Sequence, residues 1–211
     1  NKFSWFLFSI LFCTNSIVLR AQNSGNQSST PTEVKSLTGK IWMDRNLGAS
    51  QVATSSRDKA SYGDLYQWGR ARDGHQKRSS MTTKKIAKNA RPDNDRFIEV
   101  TKFPTDWLKN QNAGLWQGAT GVNNPCPTGF RLPTVEEFDE EIATWKSKNA
   151  KGAMLSPLKL PLTGYRSNRD GEITDSGVSG DYWTSTTNDS YAKGLYFDEN
   201  SAATDAGGRG V

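Results

Sequence analysis

The stretch NPCPTGFRLPTVEEFDEEI, residues 124–142, constrains this chain more than any other. Thr134 stands three residues before Glu137, the spacing of a capping box in which each side chain satisfies the other's free backbone N–H. Phe138, Ile142 and Trp145 then follow at i, i+4 and i+7, which predicts an amphipathic helix burying that stripe. Glu136, Glu137, Asp139, Glu140 and Glu141 crowd its first half, where the helix dipole favours negative charge. A solvated outer face accounts for them without any catalytic chemistry.

The same stretch carries Cys126, and the only other cysteine is Cys13. Cys13 lies in NKFSWFLFSILFCTNSIVLRAQ, where Lys2 precedes an apolar run from Phe3 to Phe12 and a small residue, Ala21, precedes Gln22. That pattern reads as a secretory signal peptide over residues 1–21, cleaved near Ala21. The bulky Phe12 argues against Cys13 as a lipid-acylated residue. The apolar run is shorter than the ~20 residues a spanning helix needs, so no membrane span is expected. On this reading Cys13 leaves with the leader and Cys126 has lost its partner.

Charge adds little. The chain has 27 basic and 22 acidic residues, and losing Lys2 and Arg20 with the leader lowers the net charge from +5 to +3. Much of the basic excess lies in HQKRSSMTTKKIAKNAR, residues 75–91. No phosphate cradle, zinc spacing or aromatic pattern accompanies it, so a solvated loop is expected and nucleic-acid binding is not. About 190 residues remain after the leader, enough for one domain with a real core.

Residues 22–38, QNSGNQSSTPTEVKSLT, have the composition of a disordered linker, and the fold is expected from residue 39. GKIWMDRNLGA then reads as a strand covered on both faces, and SYGDLYQWGR as a short helix stopped by Gly69. From Asp73 to Phe130 the chain is polar and aperiodic, with Trp107, Leu115 and Trp116 as anchors; such long loops tend to be functional or specifically held. After residue 156, Asp170-Gly171 marks one hairpin turn and NDS (188–190) a second, with Trp183, Leu195 and Phe197 inward. The last segment, SAATDAGGRGV, begins a strand and offers no apolar alternation to finish it.

Taken together, GKIWMDRNLGA, YGDLYQWGR, DGHQ, NNPCPTGFRLPTVEEFD, LKLPLTGYRS and YWTSTTNDSYAKGLYF resemble the Fibrobacter succinogenes major paralogous domain, in order and over residues 39–211. GFRLPTVEEF is also similar to the helix start of formylglycine-generating enzymes and of retroelement-diversified variable proteins. The resemblance implies an α+β, C-type-lectin-like fold: two helices, long loops and a small twisted antiparallel sheet whose last strand is missing. Members of the family typically close with a strand like GFSVRC. The resemblance therefore implies that about 8–12 further residues, one strand's worth, would follow Val211 and supply a cysteine for Cys126. Closing a loop of about 100 residues in this way contributes up to roughly 4–5 kcal/mol in the chain-entropy model.

The inventory for catalysis is thin. His75 is the only histidine and is expected on the surface of the basic loop. Formylglycine-generating oxidases use a reactive cysteine pair near their C-terminus, and after the leader only Cys126 remains, at a position the family uses structurally. Calcium-lectin signatures of the EPN, QPD or WND type are absent; SNRDGE fits a hairpin turn better than a calcium loop. No metal or cofactor is expected. What remains is a binding surface of small polar residues punctuated by tyrosine, a paratope-like composition: Thr184, Thr186, Asn188, Asp189, Ser190, Tyr191, Tyr196, Asp198 and Asn200. The expectation is a secreted or cell-surface, non-catalytic recognition domain for a protein or glycan. The alternatives are an oxidase or other enzyme on the same fold, or a structural subunit of a surface assembly.

Overall fold

The computed structural model describes residues 10–15 and 32–211. Helix α1 spans Val135–Thr144, and both halves of the capping box form: Thr134 Oγ1 accepts from the Glu137 N–H, and the Glu137 carboxylate accepts from the Thr134 N–H at 2.9 Å. Phe138, Ile142 and Trp145 are buried, as their spacing requires. The acidic run is less uniform than the dipole argument implies. Glu136, Asp139 and Glu140 are exposed. Glu137 is buried against the Arg131 guanidinium, with contacts of 2.8 and 2.9 Å, and fully buried Glu141 accepts from Thr38 Oγ1 at 2.6 Å. A second helix, α2 (Ala150–Leu155), is capped by the Asn149 side chain.

The strands among the described residues are short: β1 (Thr14–Asn15), β2 (Glu33–Lys35), β3 (Ile41–Met43), β4 (Thr82–Thr83), β5 (Phe97–Ile98), β6 (Phe130–Arg131), β7 (Tyr165–Arg166) and β8 (Ile173–Thr174). Three longer ones follow: β9 (Gly180–Asn188), β10 (Tyr191–Phe197) and β11 (Ala202–Gly208). They form a four-stranded sheet β2-β3-β1-β6, a three-stranded sheet β11-β10-β9, and the pairs β4-β5 and β7-β8. All pairings are antiparallel except β4 with β5. The protein is thus an α+β chain with two helices and small antiparallel sheets.

The three-stranded sheet separates two apolar clusters, and alternation along its strands feeds both. Trp183 and Ala192 point into a cluster with Trp68, Trp107 and Trp116; Tyr182, Leu195 and Phe197 point into one with Trp42 and Phe138. Covering both faces is what keeps β9 and β10 buried through most of their length.

Two expectations about the N-terminal half are corrected. Residues 33–38 are not a linker: β2 pairs with β3 in register Val34↔Trp42, and a turn closed by Ser36 N–H to the Lys40 carbonyl joins them. A polar segment can pair as an edge strand because its backbone supplies the bonds and its side chains stay wet. The second correction concerns Cys126. Its sulfur is bonded to Cys13, with the Cα atoms 6.1 Å apart, rather than to a cysteine beyond Val211. Ile10, Leu11, Phe12, Cys13 and Thr14 are buried, and β1 lies between β3 and β6 (Thr14↔Trp42, Thr14↔Arg131). A contiguous apolar run suits a leader and a two-sided buried strand equally well, so sequence periodicity cannot separate the two. The cleavage position near Ala21, and residues 22–31 of the proposed linker, lie outside the described residues.

The short helix expected at SYGDLYQWGR also gives way. A single 3₁₀ turn, Lys59–Ser61, ends on its first residue, and residues 62–70 run irregularly with Tyr62, Leu65, Tyr66 and Trp68 buried. Their N–H groups are committed at long range: Asp64 to the Leu47 carbonyl, Leu65 to Gln76 and Trp68 to Arg209. Aromatic anchors hold the long loop. Trp107 Nε1 donates to the Trp68 carbonyl at 2.7 Å and Trp116 Nε1 to the Arg70 carbonyl at 3.3 Å.

Candidate binding cleft and hairpin tip

The nine residues expected on one outward face are divided by the structure. Thr184 is buried; its hydroxyl donates to the Lys193 carbonyl at 2.8 Å, and its own carbonyl accepts from Trp68 Nε1 at 2.9 Å. The register of β9 shifts opposite Ala192–Gly194, and the long loop covers the face that a lone hairpin would leave wet. Thr186 Oγ1 accepts from the Val135 N–H at 3.0 Å, satisfying a donor in the first turn of α1. Asn188, Asp189 and Ser190 form the β9–β10 turn, with Asp189 at φ +49°, a left-handed geometry that Asp tolerates. Asp198 and Asn200 belong to the other turn: Asp198 Oδ1 accepts from the N–H groups of Asn200 and Ser201 at 2.8 Å each. The two turns lie at opposite ends of β10, about 20 Å apart at the ~3.4 Å rise of a strand. Tyr191 and Tyr196, five residues apart, alternate to opposite faces. Both are half-buried, and Tyr196 packs against the tryptophan cluster while its hydroxyl donates to Asp198 Oδ2 at 3.1 Å. The set therefore makes no single site; its coherent part is the tip Asn188–Tyr191.

That tip is braced from below. Arg209 Nη2 donates to the Asp189 carbonyl at 2.7 Å, and the Arg209 guanidinium sits 4.9 Å over the Trp68 ring and 3.9 Å from Asp106 Oδ2. Gln111 Nε2 donates both to the Ser190 carbonyl at 3.0 Å and to Asp106 Oδ2 at 3.1 Å. Burial pushes the Asp106 carboxyl above its ordinary range; the Leu108 N–H, Gln111 and Arg209 pull it down. Tyr191 packs against Phe103, with ring centroids 6.0 Å apart, and Phe103 is 67% exposed.

Beside this aromatic pair two adjoining depressions of about 420 and 630 Å³ share Val100, Thr101 and Arg169. Each lies within the ~300–1,000 Å³ of ordinary ligand sites. Their floor is fixed where the Val100 N–H donates to the Asn168 carbonyl at 2.5 Å and Asn168 Nδ2 returns a bond to the Val100 carbonyl at 2.9 Å. One wall is the 99–109 segment, the other the β7–β8 hairpin, and the Gly208 end of β11 closes one side. At Gly208 an added Cβ would stand 2.1 Å from Thr105 Oγ1, so glycine is what lets the strand end approach the loop. None of Lys102, Phe103 or Arg169 was singled out as a site residue by sequence reasoning; for Lys102 and Phe103 the one signal was the length of the aperiodic loop around them, and Arg169 lay in a segment read only as a hairpin turn.

The groups with catalytic potential are differently placed. His75 is fully buried, not on the surface as expected: Nδ1 donates to Asp73 Oδ1 at 2.6 Å and Nε2 accepts from the Gln67 N–H at 3.2 Å. Burial depresses its pKa to about 4, against the opposing pull of Asp73, and the ring is neutral. It fastens the start of the long loop together with Arg70, which donates to Asp73 and to the carbonyls of Asn94 and Arg96. Asp181, also buried, accepts from Ser179 Oγ at 2.5 Å, and desolvation raises its pKa to about 8. No helix among the described residues is long and apolar enough to cross a membrane. Searches against protein-family models, curated proteins and solved structures find no match to this chain.

Proposed function

We propose that this chain is a non-catalytic recognition or display domain, secreted or held at a bacterial cell surface, with a C-type-lectin-like fold of the Fibrobacter succinogenes major paralogous kind, binding a protein or a glycan. The observation that carries this reading is the braced tip Asn188–Tyr191 beside the exposed Phe103 ring at the mouth of the cleft. Rigid aromatic area next to adaptable polar side chains is the arrangement that recognition surfaces use, because little side-chain freedom is lost on contact. The Cys13–Cys126 disulfide fits an oxidising compartment. Support for the fold comes from the capped α1 following GFRLP, from the paired hairpins after residue 164, and from the long loop pinned by tryptophans.

The test is a binding screen of the purified domain against arrayed glycans and surface proteins, repeated with Phe103→Ala/Asn188→Ala. A partner that loses affinity at least about tenfold with this variant, at unchanged melting temperature, supports the reading. Copper uptake with oxygen consumption on thiol peptides overturns it in favour of an oxidase.

A further inference from the structure

We propose that the cleft between the 99–109 segment and the β7–β8 hairpin binds an acidic oligosaccharide, a chain of uronate-type sugars, with cationic side chains meeting its carboxylates and aromatic rings meeting its sugar faces. This rests on the recognition reading above and names the ligand class of that site. Lys84, Lys102, Lys109 and Arg169 come from three segments distant in sequence and line the first depression, and Arg169 lines the adjoining one as well. All four are exposed, and none makes an ion pair among the described residues. Elsewhere on the surface Lys40 pairs with Glu140, Arg57 with Glu199, Lys77 with Asp64 and Lys85 with Asp93, while exposed cations such as Lys59, Lys88 and Lys146 make no ion pair among the described residues; what sets the four of the cleft apart is their convergence on one concave surface. The acidic groups lining the cleft are Glu99, Asp106 and Asp170, and Asp106 is buried against Arg209, so cations prevail at the solvent face. A concave surface with one prevailing sign concentrates ligands of the other.

Charge alone would serve an acidic peptide as well; three further features favour a sugar chain. Phe103 offers an exposed ring at one end of the cleft, and the half-buried ring of Tyr165 lines the same depression. Thr101, Ser167 and Thr174 add hydroxyls able to pair with sugar hydroxyls. An extended peptide gains affinity by joining a free strand edge, and the walls here are loop and a hairpin of two-residue strands.

Calorimetric titration with oligogalacturonate, its fully methyl-esterified form, and poly-glutamate of matched charge tests the proposal. Expected is binding of the oligogalacturonate that weakens at least about tenfold on esterification, weakens again as ionic strength rises from about 50 to about 500 mM, and is lost in Lys102→Glu/Arg169→Glu. Phe103→Ala is expected to weaken the acid form without changing its salt dependence. Equal binding of the ester overturns the role of the cations while leaving a glycan-recognition domain in place. Equal binding of poly-glutamate overturns the sugar class. Failure of every probe, alongside a partner sensitive to Phe103→Ala/Asn188→Ala in the screen above, overturns this proposal alone.

Discussion

Arg209 reaches back from the end of β11 to the β9–β10 turn, donating through Nη2 to the Asp189 carbonyl at 2.7 Å. Arg209 is only 1% exposed, and its guanidinium lies over Trp68 and stands 3.9 Å from the buried Asp106 carboxylate. One side chain thus ties the hairpin tip, the tryptophan cluster and the cleft-lining segment together. Arg209→Ala leaves Asp106 buried without its cation and frees the tip. Loss of roughly 3 kcal/mol is expected, read from urea unfolding, with faster amide exchange at Asp189–Tyr191 than in the rest of β10.

The Cys13–Cys126 bond closes a loop with a sequence separation of 113 residues. Replacing both cysteines by alanine is expected to lower stability by about 4–5 kcal/mol in the chain-entropy model. A non-reducing peptide map of protein retaining residues 10–15 should show this crosslink. Protein cut near Ala21 should present a titratable Cys126 thiol and melt lower, because β3 and β6 lose the strand between them.

Two residues of the hairpin, Tyr196 and Asp189, should respond oppositely to replacement. Tyr196→Ala removes a ring packed on the tryptophan cluster and the donor to Asp198, for an expected cost of about 2–3 kcal/mol. Asp189→Gly relieves a left-handed residue at the turn and is expected to be neutral or stabilising by a few tenths of a kcal/mol. Thermal melts of the two variants in parallel decide this, and equal losses would contradict the assignment of Asp189 to the tip and Tyr196 to the core.

Stability should fall as pH rises above neutrality. Asp181 keeps its proton in the fold up to about pH 8, whereas the unfolded chain releases it near 3.8, so its contribution is complete at low pH and is lost as pH rises through about 8. His75 acts in the opposite sense: with a folded pKa of about 4 against 6.5 unfolded, its contribution is present above 6.5 and lost on acidification toward 4. Between about 4 and 6.5 the two oppose each other. Between about 6.5 and 8 Asp181 acts without that opposition, with a slope approaching −1.4 kcal/mol per pH unit. Asp181→Asn is expected to flatten this alkaline limb in denaturant titrations and leave the acidic one.

What the sequence determined by itself is local. The capping box at Thr134 and Glu137, the buried stripe Phe138–Ile142–Trp145 and the two hairpin turns depend on residues within a turn or two of each other, where backbone donors and side-chain spacing act directly. Tertiary structure decided the rest, because there the controlling partners are distant in the chain. The YGDLYQWG segment stays irregular since Leu47, Gln76 and Arg209 take up its backbone groups. His75, polar and thus expected at the surface, is buried because Asp73 and the Gln67 N–H complete its hydrogen bonds, and Glu141 is buried with one carboxylate oxygen held by the distant Thr38 hydroxyl. Residues 10–14 become core because β3 and β6 offer a position between them, a contact that no periodicity in the apolar run itself records. Lys84, Lys102 and Arg169 meet at one cleft only once the long loop has been folded over the β7–β8 hairpin, and a set assembled across such sequence distances leaves no local pattern to read.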